Sequence, residues 1–461
     1  MQSSGRITRL FASSQKHEVV SCQPEKRSGS SRLVSGFLGG SLWAIVGQVF
    51  SAVGMVLGVR FITEYVSPST FGTVSLLMGI VALGSGVCGG PIFQALLRMY
   101  PDMQRKNRLP LLMTEIWRLL IEANGLLIAV GMVVGLVIVF FLEVNCVVLL
   151  ILAGLVVVEA LRGLVATILS AKNQIKRYAF VVAGDVLARQ GFAVLLVLIL
   201  GASVTSIIGG YLVGAVLLSV WYVKVLRGIN TRSDACTEAG QGQQVRQEIV
   251  EFSRPLMPIA LAGSVSGLGD RYVIGGILGV EAAGIYAAVY ALVSKPFLMI
   301  STALELALRQ SYYHAVSTND ERGQHKVMST WVLSALVASV ICLGIVTFWA
   351  GEITRLLLGE KFKSGASLMA WIALGYCLFA LSSPLERRAY AFKRTGSVLR
   401  IQTGGAIASV LAGMVGTYYY GILGAAWAVP VYFGCQLALA AYLTRKFSRF
   451  VAGSEEGSTR D

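Results

Sequence analysis

Charged side chains inside strongly apolar segments are the residues of this chain with the greatest capacity for chemistry. An ionised side chain at the centre of a bilayer costs about 2.5–3.5 kcal/mol on insertion scales, so each is expected to have a partner or to line a polar cavity. Glu159 and Arg162 are three residues apart, and Asp185 and Arg189 are four apart. Both spacings place opposite charges on one helix face. Two interpretations stay open: structural pairs that neutralise themselves, or groups that line a cavity.

Three further cations predict a positively charged cavity. Lys295 has no acidic residue within one helical turn, and the acid at helical spacing from Arg60 is Glu64. Asp270 adjoins Arg271, but neighbouring helical side chains point about 100° apart, so the carboxylate neutralises the guanidinium poorly. Arg60, Arg271 and Lys295 therefore suggest a binding site for an anion such as a phosphate or diphosphate. The alternative is that Arg60 and Arg271 lie near the outer interface and extend to the lipid headgroups.

An internal repeat relates the two halves of the chain. Residues 60–77 and 272–289 each contain the end of an apolar helix, a short turn with one glutamate, a glycine and a new apolar helix. The glycines are Gly72 and Gly284, which gives an offset of 212 in a chain of 461 residues. Such repeats are typical of transporters whose halves face each other around a site at the bilayer midplane.

The segments that must position these residues are membrane-spanning helices. Hydrophobic residues make up 55% of the chain, charged residues 14%, and the mean hydropathy is +0.70. A helix needs about 20 apolar residues to cross a hydrocarbon core. We therefore predict an all-α polytopic membrane protein with about twelve transmembrane helices in two pseudo-symmetric six-helix lobes. The predicted spans are 41–66, 71–97, 117–142, 146–170, 178–200, 206–226, 253–278, 283–308, 328–350, 365–390, 396–419 and 422–444.

Lysine and arginine predict the orientation of these spans. The N-terminal segment and every second connection carry basic clusters, whereas the alternate connections carry few, apart from the loop with Arg355, Lys361 and Lys363. By the positive-inside rule, we expect both termini in the cytoplasm. The predicted organisation is a disordered basic cytoplasmic tail at 1–38, lobes at 39–228 and 251–446, a cytoplasmic linker at 229–250 and a cytoplasmic tail at 447–461.

The sequence gives no sign of an enzyme, a metal site or a nucleic-acid-binding protein. Its three histidines have no partner at metal-ligand spacing, its seven cysteines form no CxxC, and no GxxxxGK[ST] loop is present. The net charge of +15 follows from the membrane topology. We therefore expect no catalytic residue, no resident metal or cofactor and no nucleic-acid partner. A proton or sodium gradient, or the membrane potential, is the candidate driving force.

Several segments carry a resemblance to a known family. They are EIVEFSRPLMP at 248–258, GDRYVIGGILGVEAAGIY at 269–286, the Phe71-Gly72 turn, LGEKFKSGA at 358–366 and GILGAAW at 421–427. Through these segments, nearly the whole chain after residue 38 resembles the Wzx-type polysaccharide flippases of the MOP superfamily, which also holds the MATE exporters. The resemblance implies two six-helix lobes in a V, related by a pseudo-twofold axis along the membrane normal. It maps the family's seventh-helix acidic–basic pair onto Asp270 and Arg271, whereas Lys295 has no counterpart.

The resemblance also implies a function and a location in the inner membrane of a bacterium. Flippases of this family move lipid-diphosphate-linked oligosaccharides from the inner to the outer leaflet by alternating access, for surface or exopolysaccharide synthesis. The implied partners are the lipid-linked glycan, the bilayer, and a glycan polymerase with its export machinery. One alternative is a MATE-like antiporter of cationic drugs, which would favour unpaired carboxylates in the cavity. Others are a flippase of the lipid-linked peptidoglycan precursor, a subgroup that tends to carry two extra C-terminal helices, and a glycan polymerase, which needs a large outer loop.

Overall fold

A computed structural model describes residues 29–142, 146–227, 241–392 and 394–456. Every regular element within these ranges is helical, and none is a strand. The described residues from 41 onward belong to one compact unit, and the described residues 29–40 belong to another. Most of the predicted N-terminal tail and the first part of the predicted 229–250 linker lie outside the described residues.

Thirteen α-helices and one short 3-10 helix make up the described chain. In order, they are α1 (Gly29–Tyr65), α2 (Pro68–Arg105), α3 (Leu109–Leu142), α4 (Cys146–Ala171), α5 (Ile175–Leu200), α6 (Val204–Arg227), α7 (Gln241–Ser253), α8 (Leu256–Ile277), α9 (Val280–Ser317), α10 (Glu321–Phe348), α11 (Ala350–Leu357), the 3-10 helix (Glu360–Gly365), α12 (Ala366–Ala391) and α13 (Thr395–Glu456).

Twelve helical segments in the described ranges are long enough to cross a membrane. Ten of the helices are both long and apolar enough by composition. One of them, α13, is two helices that meet at Gly421, where the backbone leaves the helical region with φ 64° and ψ −145°. The 22 residues of α8 span about 33 Å at 1.5 Å per residue, which also suffices. The predicted all-α polytopic fold is thereby confirmed.

Several helices extend well beyond their apolar runs. The second predicted span covers 71–97, but α2 continues to Arg105, and α3 begins at Leu109 rather than near 117. A helix satisfies its own backbone hydrogen bonds in water as well as in lipid, so it need not end where the apolar side chains end. Hydropathy therefore predicts which segments cross the membrane, but it does not predict the residues at which the helices begin and end.

The turns at the two ends of the bundle use different residues. Asn107, Asn173 and Asn319 follow α2, α4 and α9 with φ of 53°, 55° and 52°. Asparagine is one of the few residues besides glycine that tolerates this left-handed conformation. Gly201 and Gly279 take φ of 89° and 91° at the opposite end, after α5 and α8. The asparagine turns lie among the basic connections, so we call their end the basic end and the other the glycine end.

The crossing helices form two lobes that share one core near the glycine end. The first lobe contains α1 from residue 41 onward and α2 to α6, and the second contains α8 to α13. Helix α2 contacts both α8 and α9 of the second lobe. Ile62 and Val66 from the first lobe belong to the same buried cluster as Ile274, Tyr286 and Phe362 from the second. The lobes are therefore packed directly against each other at this end.

A helix occupies the second part of the predicted 229–250 linker. In α7, Val245 and Ile249 lie one turn apart and are buried against α2 and α3 of the first lobe. Arg246 Nη2 lies 2.6 Å from Glu122 Oε2 of α3. The helix therefore rests on the first lobe at the basic end. Its apolar residues are too few for hydropathy to predict a membrane-spanning helix. Their spacing nevertheless places them on one face of a helix.

Candidate functional site

The two glycines of the repeat meet where α2 crosses α9, near the glycine end. A Cβ at Gly72 would collide with the carbonyl oxygen of Val280, and one at Gly284 with the carbonyl oxygen of Pro68. Pro68 and Val280 are separated by the same 212 residues as the glycines, so the repeat relates the two contacts. Glycine is required at both positions because the backbones touch and leave no room for a side chain.

Further contacts join the lobes at the glycine end. The backbone N–H of Gly359 donates a hydrogen bond of 3.0 Å to Thr63 Oγ1. The rings of Phe71 and Phe362 pack edge to face with centroids 5.7 Å apart. Val66, in the same core, is completely buried. Apolar packing and a hydrogen bond from a backbone N–H to a threonine hydroxyl thus hold the lobes together at this end.

Arg271 reaches across the lobe boundary from α8 to α2. Its Nη1 donates to Ser75 Oγ at 3.3 Å, and its guanidinium carbon lies 5.0 Å from the ring centroid of Tyr290. The next residue, Tyr272, donates its hydroxyl to the carbonyl oxygen of Leu76 at 2.8 Å. Arg271 Nε is buried without a hydrogen-bond partner among the described residues. Arg271 is therefore a partly buried cation with hydrogen-bonding capacity left over, at the boundary between the lobes.

Asp270 makes no ion pair with Arg271 in the described structure. The residue is 2% exposed, and its Oδ2 accepts a hydrogen bond of 2.5 Å from the Tyr286 hydroxyl. Its Oδ1 accepts the backbone N–H of Arg271 at 2.8 Å. Tyr290 stacks near Tyr286, and the Tyr376 hydroxyl donates to that of Tyr290 at 2.9 Å. This tyrosine cluster escaped the sequence analysis because its members come from two helices far apart in the chain.

The other two predicted cations do not join Arg271. Arg60 forms an ion pair with Glu64 on its own helix, and both side chains are about one-third to one-half exposed, at 32% and 45%. Lys295 is partly buried and has neither a hydrogen bond nor an ion pair within the described part of the chain. Among the described residues, no hydrogen bond or ion pair links Arg60 or Lys295 to Arg271, and none of the three lines either of the two cavities below.

A cavity of about 1240 Å³ lies between the lobes at the basic end, and we call it the vestibule. Its walls come from the basic-end segments of α2, α7, α8, α9 and α12. The charged residues that line it are four cations, Arg98, Lys106, Arg309 and Arg387, and three acids, Asp102, Glu248 and Glu251.

The vestibule cations are held in different ways. Arg309 and Arg387 donate to the same carboxylate, that of Glu305, at 2.9 and 3.0 Å. Arg98 has no ion pair among the described residues, and its guanidinium carbon lies 4.6 Å from the ring centroid of Phe252. Arg98 is therefore free to bind an anionic group. In the sequence, these basic residues indicate only the topology, and their clustering at helix ends is the available signal for the vestibule.

A second cavity, of about 410 Å³, lies inside the first lobe between α2, α3, α4 and α5. We call it the first-lobe cavity. Its wall includes two of the predicted charged residues, Glu159 and Arg162. The remaining polar and aromatic residues in the wall are Ser85, Asn124, Thr167, Ser170, Phe93 and Tyr178.

The predicted charge pairs form a single network beside this cavity. Glu159 pairs with Arg162, and Asp185 Oδ1 accepts from Arg189 Nε at 3.0 Å, as the spacing predicts. Two contacts then join the pairs across α4 and α5. Arg189 Nη2 donates to Glu159 Oε2 at 2.8 Å, and Arg162 Nε lies 3.6 Å from Asp185 Oδ2. Two acids and two bases thus neutralise one another at the wall of the first-lobe cavity.

A polar cluster inside the second lobe was also missed by the sequence analysis. Gln402 Nε2 donates to Glu386 Oε2 at 3.0 Å, and Gln436 Nε2 donates to Gln402 Oε1 at 3.3 Å. The three residues come from α12 and from both halves of α13, so no spacing along the chain indicates the cluster. Within the described ranges, no group of three or more His, Cys, Asp and Glu residues could hold a metal ion.

Two lobes of membrane-crossing helices, a cavity between them at one end and a tight backbone crossing near the other define a membrane transporter. The family described as polysaccharide biosynthesis protein matches residues 60–367, and the chain belongs to this family. The match confirms that the resemblance to proteins of polysaccharide biosynthesis is correct. No curated protein matches the chain in sequence.

Solved structures with a similar fold include a flippase and MATE transporters. The lipid II flippase MurJ in an inward closed conformation has a TM-score of 0.67 and 12% identity, and the match covers 88% of this chain and 87% of MurJ. A multidrug resistance MATE family transporter of the MOP superfamily, inward-facing, has a TM-score of 0.68 and 11% identity, over 89% and 96% of the two chains. A Vibrio cholerae MATE transporter has a TM-score of 0.63 and 12% identity, over 92% and 98%.

Proposed function

We propose that the protein flips lipid-diphosphate-linked oligosaccharide units across the inner membrane by alternating access, for synthesis of a surface or exported polysaccharide. The observation that carries this proposal is the vestibule, because a cavity of about 1240 Å³ between the lobes has room for a polar headgroup. Membership of the polysaccharide biosynthesis family supports a glycan as the cargo. A glycan polymerase and its export machinery are then the partners that take up the product.

The orientation is part of the proposal. The basic end carries the lysine- and arginine-rich connections, so the positive-inside rule places it and both termini in the cytoplasm. The vestibule then faces the cytoplasm, where lipid-linked units are loaded, and the Gly72–Gly284 crossing closes the outer side. In this interpretation, the structure corresponds to the state that receives substrate.

The charges along the route suit an anionic cargo. Arg98 at the vestibule and Arg271 at the lobe boundary each have guanidinium groups free of an ion pair among the described residues. Guanidinium groups bind phosphate oxygens in a bidentate manner. Arg271 of α8 contacts Ser75 of α2, and we assign it as the group that the diphosphate reaches when the lobes rearrange. Lys295 is a second cation for that step. A MATE-like exchanger of cationic drugs would place unpaired carboxylates there instead.

Translocation by the purified protein tests the proposal. Liposomes that contain a short-chain polyprenyl diphosphate oligosaccharide should expose the glycan to an external glycosidase faster when the protein is present. Arg271→Ala and Lys295→Met should reduce this rate by about tenfold or more, the equivalent of one lost charged hydrogen bond. Arg271→Lys should retain part of the rate because it keeps the charge and loses the fork geometry.

The matched control is Arg355→Ala, which removes an exposed arginine outside both cavities. It should translocate at the unaltered rate. An unaltered protein that does not accelerate exposure of the glycan would refute the proposed function. If both Arg271→Ala and Lys295→Met translocate at the full rate, the proposed function stands, and these cations have a structural role instead.

A further inference from the structure

The first-lobe cavity lies outside the route that we propose for the diphosphate. It lies between helices of one lobe, whereas the vestibule lies between the lobes. Its volume of about 410 Å³ falls within the range of small-molecule sites, about 300–1,000 Å³. Its wall combines a few polar side chains with small residues from α2 and α4.

Hydrogen-bonding groups in this wall have capacity left over. The side-chain oxygen of Ser85 is buried and has no hydrogen-bond partner among the described residues. Asn124 is only 7% exposed, and its Nδ2 donates to the carbonyl oxygen of Leu120 at 2.7 Å. The amide oxygen of Asn124 accepts no hydrogen bond from any residue that the structure describes. A buried amide and hydroxyl with unused capacity favour a ligand that carries both donors and acceptors.

The charge of the wall favours a neutral ligand. Glu159 and Arg162 belong to the network of two acids and two bases, whose charges cancel. A diphosphate would therefore find no excess positive charge here, in contrast to Arg98 at the vestibule. The ring of Phe93 also lines the cavity and packs close to Gly163. A sugar ring has an apolar C–H face that contacts aromatic rings and a rim of hydroxyl groups that donate and accept hydrogen bonds.

The two cavities are adjacent along α2. Gly90 lines both of them, and a Cβ at Gly90 would have no neighbouring atom within 4 Å. Packing therefore does not require glycine at this position, and the absence of a side chain leaves the wall between the cavities thin. Arg98 lies about two turns farther along α2, at the vestibule. One molecule with an anionic and a neutral part can therefore contact both cavities.

We propose that the first-lobe cavity is a glycan subsite: it binds neutral sugar residues of the cargo while the diphosphate stays at the vestibule cations. This assignment rests on the proposed function. In this proposal, the first lobe recognises the glycan, and the residues at the lobe boundary move the charged group. The ligand class is a neutral, hydroxyl-rich pyranose unit joined to a lipid diphosphate.

Binding of two lipids by the detergent-solubilised protein tests the subsite. One lipid is a polyprenyl diphosphate with the oligosaccharide, and the other is the same polyprenyl diphosphate without sugar. The unaltered protein should bind the glycan-bearing lipid more tightly. Ala166→Leu, which extends a side chain from the wall into the cavity, should weaken binding of the glycan-bearing lipid by about tenfold and leave the sugar-free lipid unchanged.

Two further variants make the result specific. Asn124→Leu keeps the approximate shape and removes the amide, so it should show the same selective loss. Ala129→Leu makes the same change as Ala166→Leu on the exposed face of α3 and should bind both lipids normally. Equal losses for the two lipids, no loss in Ala166→Leu, or no preference of the unaltered protein for the glycan would each overturn the subsite. Failure of the unaltered protein to bind either lipid would instead refute the proposed function.

Discussion

At the scale of single residues, the network of Glu159, Arg162, Asp185 and Arg189 separates what spacing can predict from what it cannot. Spacings of three and four predict the pair within each helix. The contact between Arg189 and Glu159 joins residues 30 positions apart, and it depends on how α4 packs against α5. One sequence does not specify that packing. The same limit explains why the partners of Asp270 and Glu386 were not predicted, since they lie on other helices.

The network also leads to a stability prediction. Asp185→Asn keeps the shape of the side chain but removes a negative charge that Arg189 and Arg162 contact at 3.0 and 3.6 Å. Asp185 is 5% exposed, so the two guanidinium groups would be left with one carboxylate inside the lobe. Breaking a buried ion network by loss of one partner costs about 3–5 kcal/mol. We expect a clearly lower midpoint of thermal unfolding in detergent.

Arg60→Gln provides the comparison for this measurement. It breaks the ion pair with Glu64, whose side chains are 32% and 45% exposed. Exposed pairs contribute about 0–1 kcal/mol, so the unfolding midpoint should hardly move. Equal shifts in the two variants would show that Asp185 contributes no more than a surface charge.

At the scale of helices, hydropathy predicted the crossing segments, and the internal repeat predicted that Gly72 and Gly284 hold equivalent places. The repeat did not predict that the two glycines contact each other. Equivalent residues of two halves meet only on the pseudo-twofold axis, and the position of that axis is a property of the packed lobes. The helix α7 was missed for a different reason. Its two buried residues, Val245 and Ile249, pack on a neighbouring surface that hydropathy alone does not reveal.

The crossing of α2 and α9 gives an element-scale prediction. In Gly72→Val, the new side chain collides with the carbonyl oxygen of Val280, so the helices must separate at the glycine end. A cysteine at Val66, which is completely buried in this structure, should then become reactive toward a membrane-impermeant maleimide. Gly276→Val is the control because a Cβ there meets nothing within 4 Å. If Val66→Cys stays unreactive in Gly72→Val, the crossing does not close this end.

At the scale of the whole molecule, the structure combines an accessible vestibule with lobes joined near the opposite end. Alternating access requires a second arrangement in which the contacts of α2 with α8 and α9 open and the vestibule closes. The lobes are suited to such a movement because their own helices carry the ion network and the polar cluster, while the boundary carries few hydrogen bonds. Two of these are the bonds from Arg271 to Ser75 and from Tyr272 to Leu76.

A reversible crosslink between the lobes tests this movement. A Cβ at Gly275 lies 3.2 Å from Leu76 Cδ1, so Leu76→Cys with Gly275→Cys should crosslink α2 to α8 in a chain freed of its native cysteines. The crosslinked protein should lose translocation and regain it after reduction. A cysteine at Gln94 in the locked vestibule should react with a membrane-impermeant maleimide in inverted vesicles and not in intact cells, as the proposed orientation requires.

The control crosslink lies within one lobe and has nearly the same geometry. A Cβ at Gly154 lies 3.1 Å from Leu212 Cδ1, which joins α4 to α6 inside the first lobe. If the lobes move as units, as the proposed alternating access requires, Gly154→Cys with Leu212→Cys should crosslink without loss of translocation. Inhibition by both crosslinks would mean that the first lobe itself deforms during transport. Full translocation with the Leu76–Gly275 crosslink in place would show that the cargo crosses without separation of α2 from α8.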